Sequence, residues 1–234
     1  MGAMPAHYGA MLQPIDDNLW HATHAFTATG LPITTRMTVV RLPGRKLLLH
    51  SPIPLTSALR GQLEELGAVA FIVAPNKMHH LFLAPCMTAF PGAAVYGPCG
   101  LRQKRPGFGA MLELPAGDVP AWLPDLEHLA FDGIPAGCES VWFHRPSATL
   151  IVTDVLQWMR GDLAWATRAY ATLTGVRRGL AVPRTVRALV RDRAAAARSA
   201  QRVLQWPFTR VVMAHNAIVD TDAHDQAAQA FAVL

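Results

Sequence analysis

The pattern of apolar positions singles out one short run, Ala68 to Ala74, as the clearest strand of the chain. Its residues, AVAFIVA, are all apolar and include β-branched and aromatic types, which indicates a strand buried on both faces in a sheet covered by helices. Pro75 and Asn76 end this strand, and His79 and His80 follow where we expect a helix to begin. Because α/β proteins place their chemistry at the carboxyl ends of such strands, this stretch is the first candidate for a functional site.

The rest of the chain divides into further strands and helices. The other predicted strands are Ile15 to Trp20 with a turn at residues 16–18, Arg36 to Leu42, Lys46 to His50, Ala93 to Tyr96, Leu126 to Phe131, Ser140 to His144, Thr149 to Thr153 and Arg210 to Ala214. The predicted helices are 57–66, His79 to Phe90, Gly161 to Leu173, Thr185 to Leu204 and Asp222 to Phe231. Gly97 to Gly109 is rich in Gly, Pro and basic residues and is predicted to be an exposed loop. Strands before, between and after helices favour a layered α/β sandwich with mixed sheets.

Composition indicates one large domain. The chain has 234 residues, 51% of them hydrophobic, and we assign residues 13–234 to a single domain. Residues 1–12 lack the basic start and apolar core of a secretory signal, so we interpret them as a disordered leader or tag remnant. No apolar run reaches the roughly 18 residues of a membrane span. We therefore expect a cytoplasmic protein that does not enter a membrane.

Cysteine content and charge argue against a disulfide framework, a Cys-x-x-Cys metal site and a nucleic-acid-binding protein. Cys86, Cys99 and Cys138 form an odd, scattered set, which indicates reduced thiols and contains no Cys-x-x-Cys metal pair. The net charge of +5 comes mostly from arginines in the last third, which we interpret as a solvated helix face. Aromatic residues do not alternate with these arginines, so we expect no nucleic-acid partner. The oligomeric state is not fixed by the sequence.

Histidines and acids stand at four predicted strand ends. These residues are His79 and His80, Glu139, Asp154 and His215. Imidazole nitrogen and carboxylate oxygen are ligands that zinc, iron and manganese accept, and such an ion activates water and polarises a carbonyl or phosphoryl group. Adjacent side chains diverge by about 100° on a helix, so His79 and His80 both become ligands only if this segment is irregular.

Five stretches resemble the metallo-β-lactamase superfamily, and within it a branch known only as a domain of unknown function. They are RMTVVRL (36–42), LLLHSPIPL (47–55), VAPNKMHHLFL (73–83), ESVWFHRPSATLIVTD (139–154) and the terminal AH (214–215). The resemblance implies an α/β fold of the four-layer αββα sandwich type. It also implies that Asp154 and His215 are metal ligands, with His80 as the preferred third ligand and His79 and Glu139 as further candidates.

The sequence departs from the superfamily's motifs at several positions. Asn76 and Met78 stand where the superfamily has alternating histidines, and His79-His80 stands where it has Asp-His. Residues 137–139, Gly-Cys-Glu, replace a histidine-bearing loop. The resemblance therefore implies one metal or a differently built pair rather than the usual dinuclear zinc site, and it leaves open that the metal has been lost.

Two functional hypotheses follow, and the sequence leaves open whether the protein is an enzyme. The first is a metal-dependent hydrolase, with zinc as the expected ion, that acts on an ester, amide, thioester or phosphoester. Asn76 and Lys77 are its candidate substrate-binding residues, although Lys77 is also interpreted as a surface charge, and the basic loop 97–109 is a candidate for gripping a negatively charged substrate. The alternative is a non-catalytic relative that binds a small molecule or a metal. A redox iron site is a third, weaker hypothesis.

Overall fold

The computed structural model describes residues 10–115 and 121–234, which form two mixed β-sheets with helices on their outer faces. The first sheet contains β1 (Gln13–Asp16), β2 (Leu19–Ala28), β3 (Leu31–Leu42), β4 (Lys46–His50), β5 (Ala68–Val73), β6 (Ala94–Gly97) and β7 (Leu112–Glu113), in that spatial order. The second contains β8 (Leu126–Ala130), β9 (Ser140–His144), β10 (Thr149–Val152), β11 (Arg210–Met213) and β12 (Ile218–Val219), in the order β12-β11-β10-β9-β8. The helices are α1 (Ser57–Leu66), α2 (Leu83–Ala89), α3 (Leu101–Lys104), α4 (Trp165–Thr174), α5 (Arg184–Ala188), α6 (Arg193–Val203) and α7 (Ala223–Phe231).

Both sheets combine antiparallel and parallel pairs. In the first, β1 to β4 form an antiparallel meander, and β4 to β7 run parallel. In the second, β8, β9 and β10 are antiparallel, whereas β10 and β11 are parallel neighbours, with Val152 beside Met213. The parallel pairs matter for function because they bring the carboxyl ends of strands to the same edge.

Three of the four apolar clusters of the described residues show the layering. One core joins the first sheet to α1, α2 and α3 through residues such as Leu59, Ile72 and Leu101. A second lies between the two sheets, where Val73 of one sheet packs with Trp142 and Ile151 of the other. A third joins the second sheet to α6 and α7 through residues such as Val203, Val211 and Phe231. Helix, sheet, sheet and helix therefore stack as four layers, which confirms the predicted αββα sandwich.

Several element boundaries differ from the prediction. Residues predicted as one strand at the start of the domain form a hairpin, in which Asn18 adopts a positive φ between β1 and β2. The segment 97–109 is not simply an exposed loop, because it contains α3 and a 3₁₀ turn at Pro106–Phe108, and both Leu101 and Phe108 are buried. The helix predicted from Gly161 begins only at Trp165.

The predicted long helix from Thr185 to Leu204 is two helices. Asp192 interrupts it because its side chain caps α6 by accepting from the amide of Ala195, Oδ1 to N 2.9 Å. The amide of Arg191 donates to the carbonyl of Gly133 at 2.8 Å. Gly133 has φ +84°, and a Cβ there would lie 2.3 Å from the carbonyl oxygen of Asp192, so only glycine allows this approach.

The predicted leader lies mainly outside the described residues. Of residues 1–12, the structure describes Ala10 to Leu12, and the amide of Leu12 donates to Oε1 of Gln62 at 3.0 Å. In the described ranges, 10–115 and 121–234, no helix has the length and apolar character needed to cross a membrane.

Candidate metal centre

Three ligand-type side chains meet where the carboxyl ends of three strands come together. His79 follows β5 of the first sheet, whereas Asp154 and His215 follow the parallel neighbours β10 and β11 of the second. The Nε2 atoms of His79 and His215 are 3.2 Å apart. The Asp154 carboxylate lies 3.5 Å from Nε2 of His79 and 3.4 Å from Nε2 of His215. One donor atom from each residue lies within 4.8 Å of the other two, which is a group able to hold a metal ion.

Each imidazole is oriented by a contact on its far side. Nδ1 of His215 donates to the backbone carbonyl of Thr34 at 2.8 Å, so in the neutral ring Nε2 carries the lone pair that faces Asp154. Nδ1 of His79 lies 2.9 Å from Oγ of Ser51. Such outer contacts fix the ring and the tautomer of a metal-binding histidine.

Asn76 shapes the turn that carries His79. Its Oδ1 accepts from the amides of Met78 and His79, both at 2.8 Å, which is the way a short polar side chain caps a turn. Its Nδ2 donates to Oδ2 of Asp154 at 2.8 Å. Asn76 thus links the first sheet's loop to the acid of the second sheet, and its side-chain oxygen is already used by the backbone.

Glu139 lies behind Asp154 and binds backbone. Its Oε1 accepts from the amide of Thr153 at 2.8 Å, and its Oε2 accepts from the amides of Asp154 at 2.9 Å and Val155 at 3.1 Å. The carboxylate therefore holds the turn after β10 and is not part of the group of three donors. Burial and the nearby Asp154 charge raise the pKa of Glu139 to about 7, against the opposite effect of these amides.

The pKa values of Asp154 and His215 are shifted in opposite directions. Burial alone would raise the pKa of Asp154, but the charges and hydrogen bonds of His79 and His215 hold it well below its usual range. Burial alone would lower the pKa of His215, but the hydrogen bond and charge of Asp154 raise it. The pair therefore favours a carboxylate beside a positive charge.

His80 and Lys77 lie outside this group. The His80 ring is only 5% exposed and packs edge-on against Phe108, with ring centroids 6.1 Å apart. Burial, assisted by the charges of Lys104 and Arg105, lowers its pKa. Lys77 donates from Nζ to the carbonyl of Pro135 at 3.0 Å. Of the two adjacent histidines, the structure brings His79 and not His80 to Asp154, because residues 77–82 form irregular turns before α2 begins.

Arg36 was not among the residues singled out from the sequence. This guanidinium, 5% exposed, donates to the carbonyls of Met213, Asn216 at 2.8 Å and Ala217 at 3.2 Å. It therefore supports the loop that carries His215. Its signal in the sequence is a charged residue at the start of the apolar stretch RMTVVRL. Ser51 and Thr34, which contact the two histidines, carry no comparable signal.

A cavity of about 700 Å³ opens above the three donors. Asp154, His79 and His215 line it together with Asn76 and Gln157. Most of the remaining lining is apolar, with Phe26, Ile33, Met78, Leu81, Phe82, Phe131, Ile134, Val155, Val186 and Leu189 as its larger apolar members. A concave, mainly apolar site with a few convergent polar groups is typical of small-molecule binding.

The two stacked mixed sheets, with acid and imidazole groups at one shared edge, define a metallo-β-lactamase fold. A family model described as a domain of unknown function, DUF4336, matches residues 16–163, and the chain belongs to this family. No curated protein matches the chain significantly.

Solved structures support the assignment of the fold. The chain is similar to the metallo-β-lactamase FIM-1 from Pseudomonas aeruginosa in its mono-zinc form, with a TM-score of 0.66, 11% identity and coverage of 99% of this chain and 98% of that one. It is similar to a metallo-β-lactamase from Hirschia baltica, with a TM-score of 0.63, 9% identity and coverage of 95% and 97%. It also resembles the metal-soaked Flv1 flavodiiron core from Synechocystis, with a TM-score of 0.66, 9% identity and coverage of 96% of this chain but 60% of that one. Identities this low show the fold alone.

Proposed function

We propose that the protein is a metal-dependent hydrolase whose ion is held by His79, Asp154 and His215. The observation that carries the proposal is the convergence of their donor atoms, from three separate strand ends, at the base of one cavity. Two imidazole nitrogens and one carboxylate oxygen are a ligand set used by catalytic zinc, and iron and manganese also accept it.

The chemistry of the donor set fits a cation. Because Nδ1 of His215 donates to Thr34, Nε2 of the neutral ring carries a lone pair that lies 3.2 Å from Nε2 of His79 and 3.4 Å from the Asp154 carboxylate. Lone pairs and a negative charge facing one another at this distance repel unless a proton or metal ion lies between them. One group of three donors is found among the described residues, which favours a single ion.

A divalent ion bound there would supply a Lewis acid and lower the pKa of a coordinated water. The chain's own residues would fix the geometry: Ser51 and Thr34 orient the two imidazoles, and Asn76 orients Asp154.

Metal analysis tests the first half of the proposal. Protein purified without nickel affinity is expected to contain about one equivalent of zinc, iron or manganese, and adding the ion to stripped protein should raise the melting temperature. His79→Ala should abolish both effects, whereas the neighbouring variant His80→Ala should retain the ion. Absence of all three metals together with no thermal stabilisation by any of them would refute the proposal.

A panel of ester, lactone, thioester and phosphodiester substrates tests the second half. Turnover that is lost in His79→Ala and Asp154→Asn but kept in His80→Ala supports hydrolysis at this centre.

The alternative, a non-catalytic binding protein, is favoured by one observation: Asn76 donates to Asp154 and so occupies an oxygen of the carboxylate. Metal binding without turnover across the panel would select that alternative.

A further inference from the structure

Large apolar side chains at the mouth of the cavity are exposed to solvent. Met78, Leu81 and Leu189 are 62%, 57% and 43% exposed, and all three line the cavity. Met78 and Leu81 belong to the turns before α2, whereas Leu189 follows α5 as its C-cap, so two distant segments of the chain line the same cavity. We refer to these three residues as the apolar rim. Exposed apolar side chains that line one cavity favour binding of an apolar ligand there.

The cavity wall next to the apolar rim is also apolar. Phe26 and Phe82 pack edge-on, with ring centroids 5.8 Å apart, and both line the cavity with Ile33. Phe26 and Ile33 are paired across β2 and β3, so the end of one hairpin forms this wall together with Phe82 from the turns before α2. An apolar chain reaching from the rim to Asp154 would contact apolar surface along this wall.

A positive charge lies on one side of the mouth. Lys104 and Arg105 line the cavity, and Nζ of Lys104 lies 4.0 Å from Sδ of Met78 while it donates to the carbonyl of Lys77 at 2.8 Å. The Arg105 side chain has no hydrogen-bond or ion-pair partner within 10–115 and 121–234. The acids that line the cavity are Glu139, which binds backbone amides, and Asp154, which belongs to the candidate metal centre. The mouth therefore complements an anionic group.

We propose that the substrate is a carboxylic ester or thioester with an apolar acyl chain and one anionic group. The chain would lie on the apolar rim and the Phe26–Phe82 wall, and the anionic group would face Lys104 and Arg105. This inference rests on the proposed function. In the reaction, the oxygen of water bonds to the acyl carbon and the bond to the leaving oxygen or sulfur breaks. One proton of the water passes to the leaving group, so the products are a carboxylic acid and an alcohol or thiol.

Hydrolysis of 4-acyloxybenzoates tests both features of the substrate. With acyl chains from acetyl to octanoyl, kcat/KM should rise about threefold for each added methylene. The uncharged phenyl esters should be poorer substrates. Leu189→Ser should reduce the dependence on chain length, and the double variant Lys104→Gln/Arg105→Gln should remove the preference for the carboxylate. Leu173→Ser, which changes an exposed leucine outside the cavity, is the matched control. It should keep both the dependence on chain length and the preference for the carboxylate.

Binding to metal-free protein separates this inference from the proposed function. Octanoate should bind roughly a hundredfold more tightly than butyrate and more tightly than octylamine, and Leu189→Ser should weaken octanoate binding while Leu173→Ser does not. Selective octanoate binding without hydrolysis of any ester would reject the hydrolase but keep the ligand class. Hydrolysis that is indifferent to chain length and charge, with no selective octanoate binding, would overturn the ligand class and keep the hydrolase.

Discussion

The carboxylate of Glu139 accepts a hydrogen bond from the backbone amide of Asp154, with Oε2 and N 2.9 Å apart. A buried acid thus positions a half-buried one, since Glu139 binds the backbone of the turn that carries Asp154 into the candidate metal centre. Its other contacts, to the amides of Thr153 and Val155, use the same carboxylate. A carboxylate that accepts hydrogen bonds from several backbone amides provides partners for N–H groups that would otherwise be buried without one.

Glu139→Gln should therefore destabilise the protein and weaken the metal centre together. The amide NH₂ of glutamine cannot accept, so at least one buried N–H loses its partner, which costs about 1–3 kcal/mol. Loss of such a supporting contact typically lowers metal affinity about 10-fold to 100-fold. Urea unfolding and a zinc titration measure the two effects. Glu113→Gln, at an exposed position of β7, is the control and should change neither. Wild-type values for Glu139→Gln in both measurements would disprove this role.

Arg36 should support His215 in a comparable way. Arg36→Lys keeps the charge but removes the planar fork that reaches the carbonyls of Met213, Asn216 and Ala217. We expect a loss of about 2–3 kcal/mol in the free energy of unfolding, because at least one buried carbonyl loses a charged donor. Thermal unfolding and metal affinity check this. Arg41→Lys, on the same strand and half-buried, should cost clearly less. An equal cost at both positions would show that the loop does not depend on Arg36.

Asp154 and His215 illustrate what the sequence can predict. Each follows a short strand whose inner residues, 150–152 and 211–214, are apolar, and the preference for ligands at the carboxyl ends of strands made both residues candidates. Their proximity depends on β10 and β11 being parallel neighbours, which the resemblance to a known fold implied and the register of Val152 with Met213 shows. Local pattern and fold resemblance together therefore put Asp154 and His215 among the preferred ligands, and named His79, the third converging residue, as a further candidate.

His79 and His80 illustrate where such prediction stops. The choice between adjacent side chains depends on the backbone of residues 77–82, and Asn76 sets that backbone through hydrogen bonds to Met78 and His79. The pattern of apolar positions predicts a regular helix from His79 and does not reveal the irregular turns at residues 77–82. Arg36 was missed for a different reason: its carbonyl partners lie about 180 residues further along the chain. The charge at the start of RMTVVRL is visible in the sequence, but partners so far along the chain cannot be identified from a local pattern.

His144 should make stability depend on pH. Its ring is fully buried, and Nδ1 lies 2.7 Å from Oγ of Ser147, while Nε2 has no partner within the described part of the chain. Burial lowers its pKa from 6.5 to about 4, although Asp125 and Asp16 partly oppose the shift. The unfolded chain therefore binds more protons between these two pH values.

The stabilisation linked to His144 is complete above about pH 6.5 and is lost as the pH falls toward 4. The total is on the order of 3 kcal/mol. His144→Asn retains a polar atom for Ser147 but cannot titrate, so the slope of unfolding free energy against pH should become shallower in this window. Ser147→Ala, which keeps the buried ring, should lower stability but retain the slope. An unchanged slope in His144→Asn would contradict the assignment.

Two cysteines face each other across neighbouring loops beside Glu139. Sγ of Cys99, after β6, lies 2.6 Å from Sγ of Cys138, which adopts a positive φ of 46° one residue before Glu139. Both are free thiols, as is the buried Cys86. Burial and the hydrogen bond with Cys138 raise the pKa of the Cys99 thiol to about 11, and burial raises that of Cys86 to about 12. Proximity therefore distinguishes the Cys99–Cys138 pair from Cys86.

Hydrogen peroxide should join Cys99 to Cys138 and leave Cys86 as a thiol. The two thiols lose two hydrogen atoms, the sulfurs form one bond, and the peroxide is reduced to two waters. Because the link closes a loop across a separation of 39 residues, it should raise the free energy of unfolding by about 2–4 kcal/mol. Alkylation after denaturation, followed by mass spectrometry, should find one reactive thiol after oxidation and three after reduction. Cys86→Ser should still form the link and Cys99→Ser should not. Three reactive thiols after peroxide treatment, or a link that includes Cys86, would refute the pairing.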